Sequence, residues 1–351
     1  MNILFISRKY PPIVGGMENY AYHLHSQFKL NQKVYSIILT KSQIHLIWFY
    51  PWIFIYGSYL VLTKNIKVVY VGDGVLSSVA CFFQNILKKK VVITIYGLDV
   101  IFNKFYYQKM LKYFLPKIKN IVAISHATRN AALERGVSIE QCEIIPVGIC
   151  IDSVPAIDLK DPRQILEKRF NINLQNKTIL FTIGRLVKRK GVYWFVKNII
   201  NKLNNDYIYL IAGDGDEYKN IEDLIAKNNL QNKVFLLGKV SNDEKHMLFS
   251  ACDAFISPNI TIKNDMEGFG IVNLEAGLYG VPVIASNIEG VKDAIHNEIT
   301  GFLVPEADNE AYINAMNKLE LLNSNDIKNH VVSNFSWESI YLKYMKLFNE
   351  L

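Results

Sequence analysis

The chain has 351 residues, half of them hydrophobic, and its formal net charge is +7. This length exceeds a typical single domain, so the sequence predicts two domains with sizeable cores. No helix-turn-helix or RNA-binding signature accompanies the basic residues, which argues against a nucleic-acid-binding protein. The four cysteines lack metal-binding spacing, which argues against a zinc protein and favours reduced thiols.

The basic residues are concentrated in the first part of the chain. Residues 1–150 contain 17 Lys and Arg against 6 Asp and Glu, whereas the remaining residues contain 22 against 26. A basic, aromatic-rich first half predicts contact with an anionic surface. We expect that surface to be membrane lipid and expect no nucleic-acid partner.

The first apolar run, Asn2 to Ser7, has no cationic start and no cleavage site, so it predicts a buried strand and not a signal peptide. A turn containing Gly15 and Gly16 follows, and then an apolar-periodic helix from about Tyr20 to Leu30. Strand, glycine turn and helix are the opening of a nucleotide-binding βα unit. The glycines do not form the dinucleotide fingerprint, and an ordinary turn is the alternative.

The stretch from Ser42 to Thr63 contains no charged residue and is long enough to cross a membrane. Pro51, Gly57 and the many aromatic residues disfavour a position at the centre of a bilayer. We therefore expect a helix buried in the first domain, with or without an interfacial face, and a true span is the alternative.

Two apolar runs, Val68 to Val71 and Val91 to Ile95, predict buried parallel strands. Ligands of open α/β sheets bind outside the carboxyl ends of strands, so Tyr96 and Asp99 are predicted to face a cleft. A helix N-cap is the alternative role for Asp99.

The segment from Ile101 to Lys119 combines six aromatic residues with five lysines and contains no acidic residue. This composition is typical of a helix that lies on a membrane surface. An ordinary crossover helix with a solvated lysine face is the alternative.

A second α/β domain is predicted after a polar linker from Asp152 to Phe170. Its first strand is Thr178 to Ile183, and a glycine-flanked turn with Arg185 and Lys190 precedes a helix that begins near Val192. Both cations lie where a phosphate would bind, although surface Arg and Lys side chains are commonly just solvated.

The stretch from Asn264 to Ala276 carries the strongest functional signal. Glu267 and Glu275 bracket seven residues, and the Gly268–Gly270 loop leads directly into a helix. Free N–H groups at a helix N-terminus attract anions, and carboxylates accept hydrogen bonds from hydroxyls. Phosphate flanked by hydroxyls describes a nucleotide sugar. Acidic residues that only favour the helix dipole are the alternative.

Taken in chain order, these motifs resemble the retaining glycosyltransferases of family four, which have the α/β fold called GT-B. The resemblance implies two Rossmann-like domains that face each other across a cleft, at residues 1–155 and 156–335, with a tail helix at 336–351 packed back on the first. The motifs are Gly15-Gly16-Met17-Glu18, Gly184-Arg185, Lys190-Gly191, Gly213-Asp214-Gly215, Glu267-Gly268-Phe269-Gly270 with Glu275, Gly280 to Ala285, Thr300 to Pro305 and Phe335-Ser336-Trp337.

The resemblance also implies roles for individual residues. Arg185 and Lys190 are implied to bind the donor diphosphate, Glu267 to contact the sugar hydroxyls and Glu275 to contact the ribose. The implied catalytic residues are Arg185, Lys190 and Glu267. The remaining donor-binding residues implied are Gly15, Gly16, Lys239, Val240, Gly268, Phe269, Gly270 and Ile271. Tyr96 and Asp99 are implied to lie on the acceptor side.

One residue departs from the family pattern, because Tyr96 stands where the family commonly has a histidine. A tyrosine hydroxyl can donate and accept a hydrogen bond, but it cannot become an imidazolium. The role of this position, and the sugar that it contacts, are therefore open.

The resemblance implies a retaining hexosyltransferase that uses a UDP- or GDP-sugar, forms an α-linkage and needs neither a metal nor another cofactor. The expected acceptor is a lipid-linked glycan or an envelope polysaccharide precursor. The expected location is the cytoplasm, peripherally associated with the inner face of the cell membrane. The alternatives are a GT-B nucleotide-sugar epimerase and a non-catalytic partner subunit that binds nucleotide sugar.

Overall fold

The computed structural model describes residues 1–13, 15–40, 43–154 and 161–351. The chain divides into two compact units. Unit 1 comprises Met1–Gly148 and Phe335–Leu351, and unit 2 comprises Ile149–Asn334. The predicted boundary between residues 155 and 156 lies outside the described residues.

Unit 1 is built on a six-stranded parallel sheet with the order β2-β1-β3-β4-β5-β6. Val- and Ile-rich runs form the central strands because both faces of a parallel sheet are covered. The second strand was not predicted, since it lies at the sheet edge and is only partly buried. The strands are β1 (Asn2–Ser7), β2 (Lys33–Ile38), β3 (Val68–Val71), β4 (Lys90–Ile95), β5 (Ile121–Ala123) and β6 (Cys142–Ile144).

The helices of unit 1 connect these strands in chain order. They are α1 (Gly16–Asn31), α2 (Leu46–Thr63), α3 (Ser77–Asn85), α4 (Leu98–Ile101), α5 (Phe105–Phe114) and α6 (His126–Leu133). Helices α2, α3 and α6 contribute Phe49, Ile53, Phe83 and Ala131 to one core cluster with strands β1 to β5. These helices therefore cover the same face of the sheet.

Unit 2 contains a second six-stranded parallel sheet, with the order β12-β11-β10-β7-β8-β9. This is the strand order of a dinucleotide-binding Rossmann fold, and its order reverses between β7 and β10. The strands are β7 (Thr178–Ile183), β8 (Tyr207–Ala212), β9 (Val234–Gly238), β10 (Ala254–Ser257), β11 (Val283–Ser286) and β12 (Gly301–Val304).

The helices of unit 2 are α7 (Pro162–Phe170), α8 (Val192–Asn198), α9 (Tyr218–Lys227), α10 (Asn242–Ala251), α11 (Ile271–Leu278), α12 (Asn309–Met316) and α13 (Ser324–Phe335). Helix α7 corrects the predicted linker, since residues 162–170 are helical. Asp161 caps the helix by accepting from Gln164 N at 3.0 Å, and Leu166 is fully buried. One buried leucine among polar residues gives a weak periodic signal, which explains why this helix was missed.

The last helix, α14 (Trp337–Glu350), belongs to unit 1 and packs with α1 on the face opposite α2. The Tyr344 hydroxyl lies 2.8 Å from that of Tyr20 and 2.7 Å from that of Thr94 in β4. The Trp337 ring lies edge-on to Tyr20, with centroids 5.1 Å apart. Buried aromatic packing and satisfied hydroxyls together hold the end of the chain on the first sheet.

Candidate functional site

The candidate site of unit 2 lies at the carboxyl ends of β7 and β10, where the strand order reverses. Gly191 ends the turn after β7 in the left-handed region, with φ of +66°. A Cβ atom at this position would lie 1.7 Å from the Pro258 carbonyl oxygen, so only glycine fits. Ile260 N donates to Arg189 O at 2.9 Å, which joins the two turns directly.

The carboxylate of Glu267 is the centre of this site. The Lys190 ammonium lies 2.6 Å from Glu267 Oε2, Asn259 Nδ2 donates to the same oxygen at 3.3 Å, and Arg189 Nε lies 3.5 Å away. Burial by itself raises the pKa of Glu267, but Lys190 and Arg189 outweigh burial and hold that pKa below its usual value. Glu267 is therefore an ionised hydrogen-bond acceptor over the physiological pH range.

The backbone around Glu267 is supported by the loop that follows β11. Glu267 N donates to Glu289 Oε2 at 2.7 Å, and Gly290 N donates to Glu267 O at 3.1 Å. A Cβ atom on Gly290 would lie 2.0 Å from the Gly268 carbonyl oxygen. The close approach of these two loops fixes the carboxylate beside Lys190.

Helix α11 begins immediately beyond this loop. Gly270 is its N-cap residue in the left-handed region, with φ of +78°. Since glycine has no side chain, no N-cap side chain accepts from the first N–H groups of the helix. Asn273 is 2% exposed, and neither atom of its amide has a partner among the described residues. The loop from Gly268 through Phe269 to Ile271 thus leads into a helix N-terminus suited to an anion.

Glu275 lies one turn inside α11, and its carboxylate meets a cation that the sequence did not single out. Lys245 Nζ of α10 lies 3.1 Å from Glu275 Oε1, and both side chains are about a quarter exposed. A partly exposed pair is held weakly, because solvent screens its attraction. Ligand hydroxyls can therefore compete for this carboxylate.

The other predicted donor residues are more exposed. Arg185 lies exposed on the turn after β7, and Lys239 forms a solvent-exposed pair with Asp214 at 3.6 Å. Val240 packs partly against the core of unit 2. Gly213 N donates to Gly238 O at 2.7 Å, which brings the turns after β8 and β9 together.

In unit 1, Gly15 and Gly16 lie at the start of α1. A Cβ atom on Gly15 would lie 2.2 Å from a Glu18 carboxylate oxygen, whereas Gly16 has open space around it. Glu18 itself pairs with Lys9 at 2.9 Å. The close approach at Gly15 thus accommodates an internal ion pair.

Tyr96 and Asp99 were predicted to face a cleft, but both side chains are buried in unit 1. Asp99 is 6% exposed, and its two oxygens accept from Tyr96 N at 2.8 Å and Gly74 N at 2.9 Å. The N-cap of α4 is Gly97, so the alternative role of Asp99 as N-cap is also wrong. The Tyr96 ring is 7% exposed and packs against Tyr20, with centroids 5.1 Å apart.

A buried ion pair in unit 1 was missed from sequence. Arg8 Nε lies 2.9 Å from Asp73 Oδ2, at the adjacent carboxyl ends of β1 and β3. Burial raises the pKa of Asp73, although Arg8 opposes that shift. Arg8 directly follows β1 and Asn259 lies two residues after β10, and these positions were an available signal. Glu289 and Lys245 carried none, because their contacts depend on distant segments.

A groove of about 810 Å³ in unit 2 lies between α8 and α9 and is lined partly by Val187 and Lys188. It does not include Lys190 or Glu267, so its size does not identify the site. Among the described ranges, no group of three or more His, Cys, Asp or Glu side chains is arranged to hold a metal ion.

Residues 164–334 match the family described as glycosyl transferases group 1. A galactosyltransferase of Escherichia coli, named UDP-Gal:alpha-D-GlcNAc-diphosphoundecaprenol alpha-1,3-galactosyltransferase, is 31% identical over 205 residues, covering 55% of this chain and 50% of that protein. One subunit of the Arabidopsis thaliana phosphatidylinositol N-acetylglucosaminyltransferase is 23% identical, covering 97% of this chain and 80% of that protein. The chain thus spans only half of the length of the bacterial relative.

The crystal structure of Anabaena Alr3699/HepE in complex with UDP is similar over 100% of both chains, with a TM-score of 0.76 and 16% identity. At this identity the similarity establishes the fold alone. The predicted GT-B fold class of two Rossmann-like domains is confirmed.

Proposed function

We propose that this chain, whose residues 164–334 match the glycosyl transferases group 1 family, is a retaining hexosyltransferase. Its donor is a UDP- or GDP-sugar, and its product carries an α-linkage. The observation that carries the proposal is the Lys190–Glu267 contact beside the N-terminus of α11. Each partner in that contact matches a different part of a nucleotide sugar.

Donor binding exchanges this internal contact for two contacts with the ligand. The sugar hydroxyls donate to Glu267, which is ionised and only accepts. Lys190 turns to the diphosphate, and the backbone N–H groups from Gly268 to Ile271 support the same charge. Arg185 is exposed on the same turn and supplies a second cation. The ribose hydroxyls displace Lys245 from Glu275.

The chemical step needs a stabilised leaving diphosphate. Lys190, Arg185 and the α11 N-terminus supply fixed positive charge where negative charge develops as the bond to the sugar breaks. The departing phosphate oxygen accepts the proton of the acceptor hydroxyl on the same face of the sugar. This front-face path gives retention without a covalent enzyme intermediate, and it assigns no role to a metal.

We propose a lipid-linked glycan or an envelope polysaccharide precursor as the acceptor, at the cytoplasmic face of an anionic membrane. The names of the bacterial and plant relatives include a diphosphoundecaprenol and a phosphatidylinositol, respectively. Lys104, Lys109 and Lys112 on or beside α5 are exposed, and the segment that contains them has no acidic residue. These features support a membrane-surface enzyme.

The test is transfer of radiolabelled sugar from UDP- and GDP-sugars to lipid extract, with EDTA present. We expect label in the lipid fraction with one donor, released by an α-glycosidase. Interconversion of the free donor without transfer would instead identify an epimerase. Binding of the donor, seen as a raised melting temperature, without either reaction would identify a non-catalytic subunit.

A further inference from the structure

Helix α2 carries an unusually apolar outer face. Its 18 residues include no charged side chain, and among the described helices it is the one long and apolar enough to cross a membrane. Large apolar side chains that are 53% to 77% exposed recur along it at a mostly three- to four-residue spacing. They are Ile47, Trp48, Trp52, Ile55, Tyr59 and Leu62.

The inner face of the same helix packs in the core of unit 1. Phe49, Ile53, Leu60 and Val61 are at most 7% exposed and belong to the cluster that covers β1, β3 and β4. If α2 crossed a bilayer, that face of the sheet would lose its cover and expose buried side chains such as Phe83 to water. The helix therefore stays on the sheet, and only its exposed outer face is available to an apolar phase.

Helix α5 lies in the same layer as α2, because α3 contacts both of them and Phe114 packs against the shared core cluster. Phe105 and Tyr106 are 75% and 85% exposed. Exposed lysines flank these rings, and no acidic residue occurs from Ile101 to Lys119. The surface of α5 is thus cationic and aromatic, and α3 joins it to α2 within one layer.

We propose that α2 is an in-plane membrane helix, whose outer face enters the interfacial region of an anionic bilayer while the α5 lysines contact lipid phosphates. This inference rests on the membrane-surface function proposed above and names the element that makes the contact. Trp and Tyr side chains such as Trp48, Trp52 and Tyr59 favour the boundary between headgroups and acyl chains.

A second copy of the chain fits this face less well than a bilayer. Two-fold pairing places the same surface of both copies together, so it brings the acid-free lysine surface of α5 near its own equivalent. An anionic bilayer instead offers an apolar phase to α2 and opposite charge to the lysines.

The experiment uses the full chain with vesicles of phosphatidylcholine, with and without phosphatidylglycerol, in flotation and tryptophan-fluorescence assays. We expect flotation with the anionic vesicles and a blue shift from Trp48 and Trp52. Lipids brominated near the headgroup should quench that emission more strongly than lipids brominated near the ends of the acyl chains. A second readout is the melting shift caused by UDP, which reports the donor site alone.

The test variant carries Ile55→Glu and Leu62→Glu, and Leu30→Glu is the matched control. Leu30 is 77% exposed on α1, which lies on the opposite face of the sheet, and Leu62 is 76% exposed on α2. The α2 variant should lose at least about tenfold in vesicle affinity, because charge replaces inserted apolar surface. The control variant should bind as the wild type does, and both should keep the UDP-induced melting shift.

Three results would overturn the proposal while leaving the donor site intact. In the first, the wild type ignores anionic vesicles although UDP still raises its melting temperature. In the second, the chain stays in the membranes of expressing cells through alkaline carbonate, as a spanning helix does. In the third, the wild type and the Leu30→Glu control are dimers in solution, whereas the variant with Ile55→Glu and Leu62→Glu is a monomer.

Discussion

The ammonium of Lys190 lies 2.6 Å from Oε2 of Glu267, and the two residues come from turns after different strands of the second sheet. Both side chains are largely buried. A charge in such a position is costly without a partner, so each group offsets the burial cost of the other and holds it in place. Under the proposed function, the donor brings its own charge and its own hydroxyls, and it replaces each partner of this pair with a ligand group.

Replacement of Lys190 or Arg185 by alanine should reduce kcat/KM for transfer severely, because diphosphate charge loses a fixed counterion. Removing one such contact costs about 2–4 kcal/mol of transition-state stabilisation. Initial rates with the labelled donor measure this loss. Lys188→Ala in the same turn is the control, since Lys188 is exposed and the Glu267 ion pairs do not include it. Near-normal turnover in Lys190→Ala or Arg185→Ala would contradict the assignment of that residue to the diphosphate.

The two carboxylates should give different kinetic signatures when each is changed to glutamine. Glu267→Gln should mainly lower kcat, because Glu267 orients the reacting sugar. Glu275→Gln should mainly raise KM for the donor, because its contact with the ribose is the same in the ground and transition states. Steady-state kinetics separate the two effects. Identical behaviour of the two variants would mean that the proposed division between sugar and ribose is wrong.

Asp99 should make the stability of unit 1 depend on pH. Burial raises the pKa of this carboxyl to about 6, above its value in the unfolded chain. The folded state therefore binds the proton more tightly, so the contribution to stability is complete below the unfolded pKa and is lost as pH rises through about 6.

Melting temperatures of the wild type and Asp99→Asn between about pH 4 and 8 measure this dependence. The variant should melt lower throughout, because Tyr96 N and Gly74 N each donate to a different oxygen of Asp99, and the NH2 group that replaces one of these oxygens cannot accept. Its melting temperature should nevertheless depend less on pH. An unchanged pH dependence would show that another group is responsible.

Changing Lys104, Lys109 and Lys112 to glutamate should weaken binding to anionic vesicles and remove much of its salt dependence. Each basic residue near an anionic surface contributes about 1 kcal/mol, and added salt screens that attraction. Co-sedimentation at low and high salt measures both effects. The wild type should retain a salt-resistant fraction through α2. An unaltered salt response in the variant would assign these lysines to an ordinary solvated surface, and the UDP-induced melting shift serves as the folding control.

The sequence by itself determined the repeated design of strand, glycine turn and helix. Both faces of a parallel sheet are buried, so runs such as Leu4 to Ile6 and Ile179 to Phe181 are continuously apolar and recognisable without partners. It also identified Lys190, Glu267 and the start of α11, because glycine spacing and helix onset are local properties. Helix α7 escaped detection because its burial depends on a single leucine.

Tertiary structure alone decided which side chains meet. Asn259 and Glu289 reach Glu267 from separate loops, and Asp99 turns inward to two backbone N–H groups. It also decided which side of α2 is covered, since that helix is apolar all round and its sequence gives no amphipathic pattern to distinguish its faces. Local sequence sets backbone propensity and periodicity, but burial and pairing depend on segments that come together only when the chain folds.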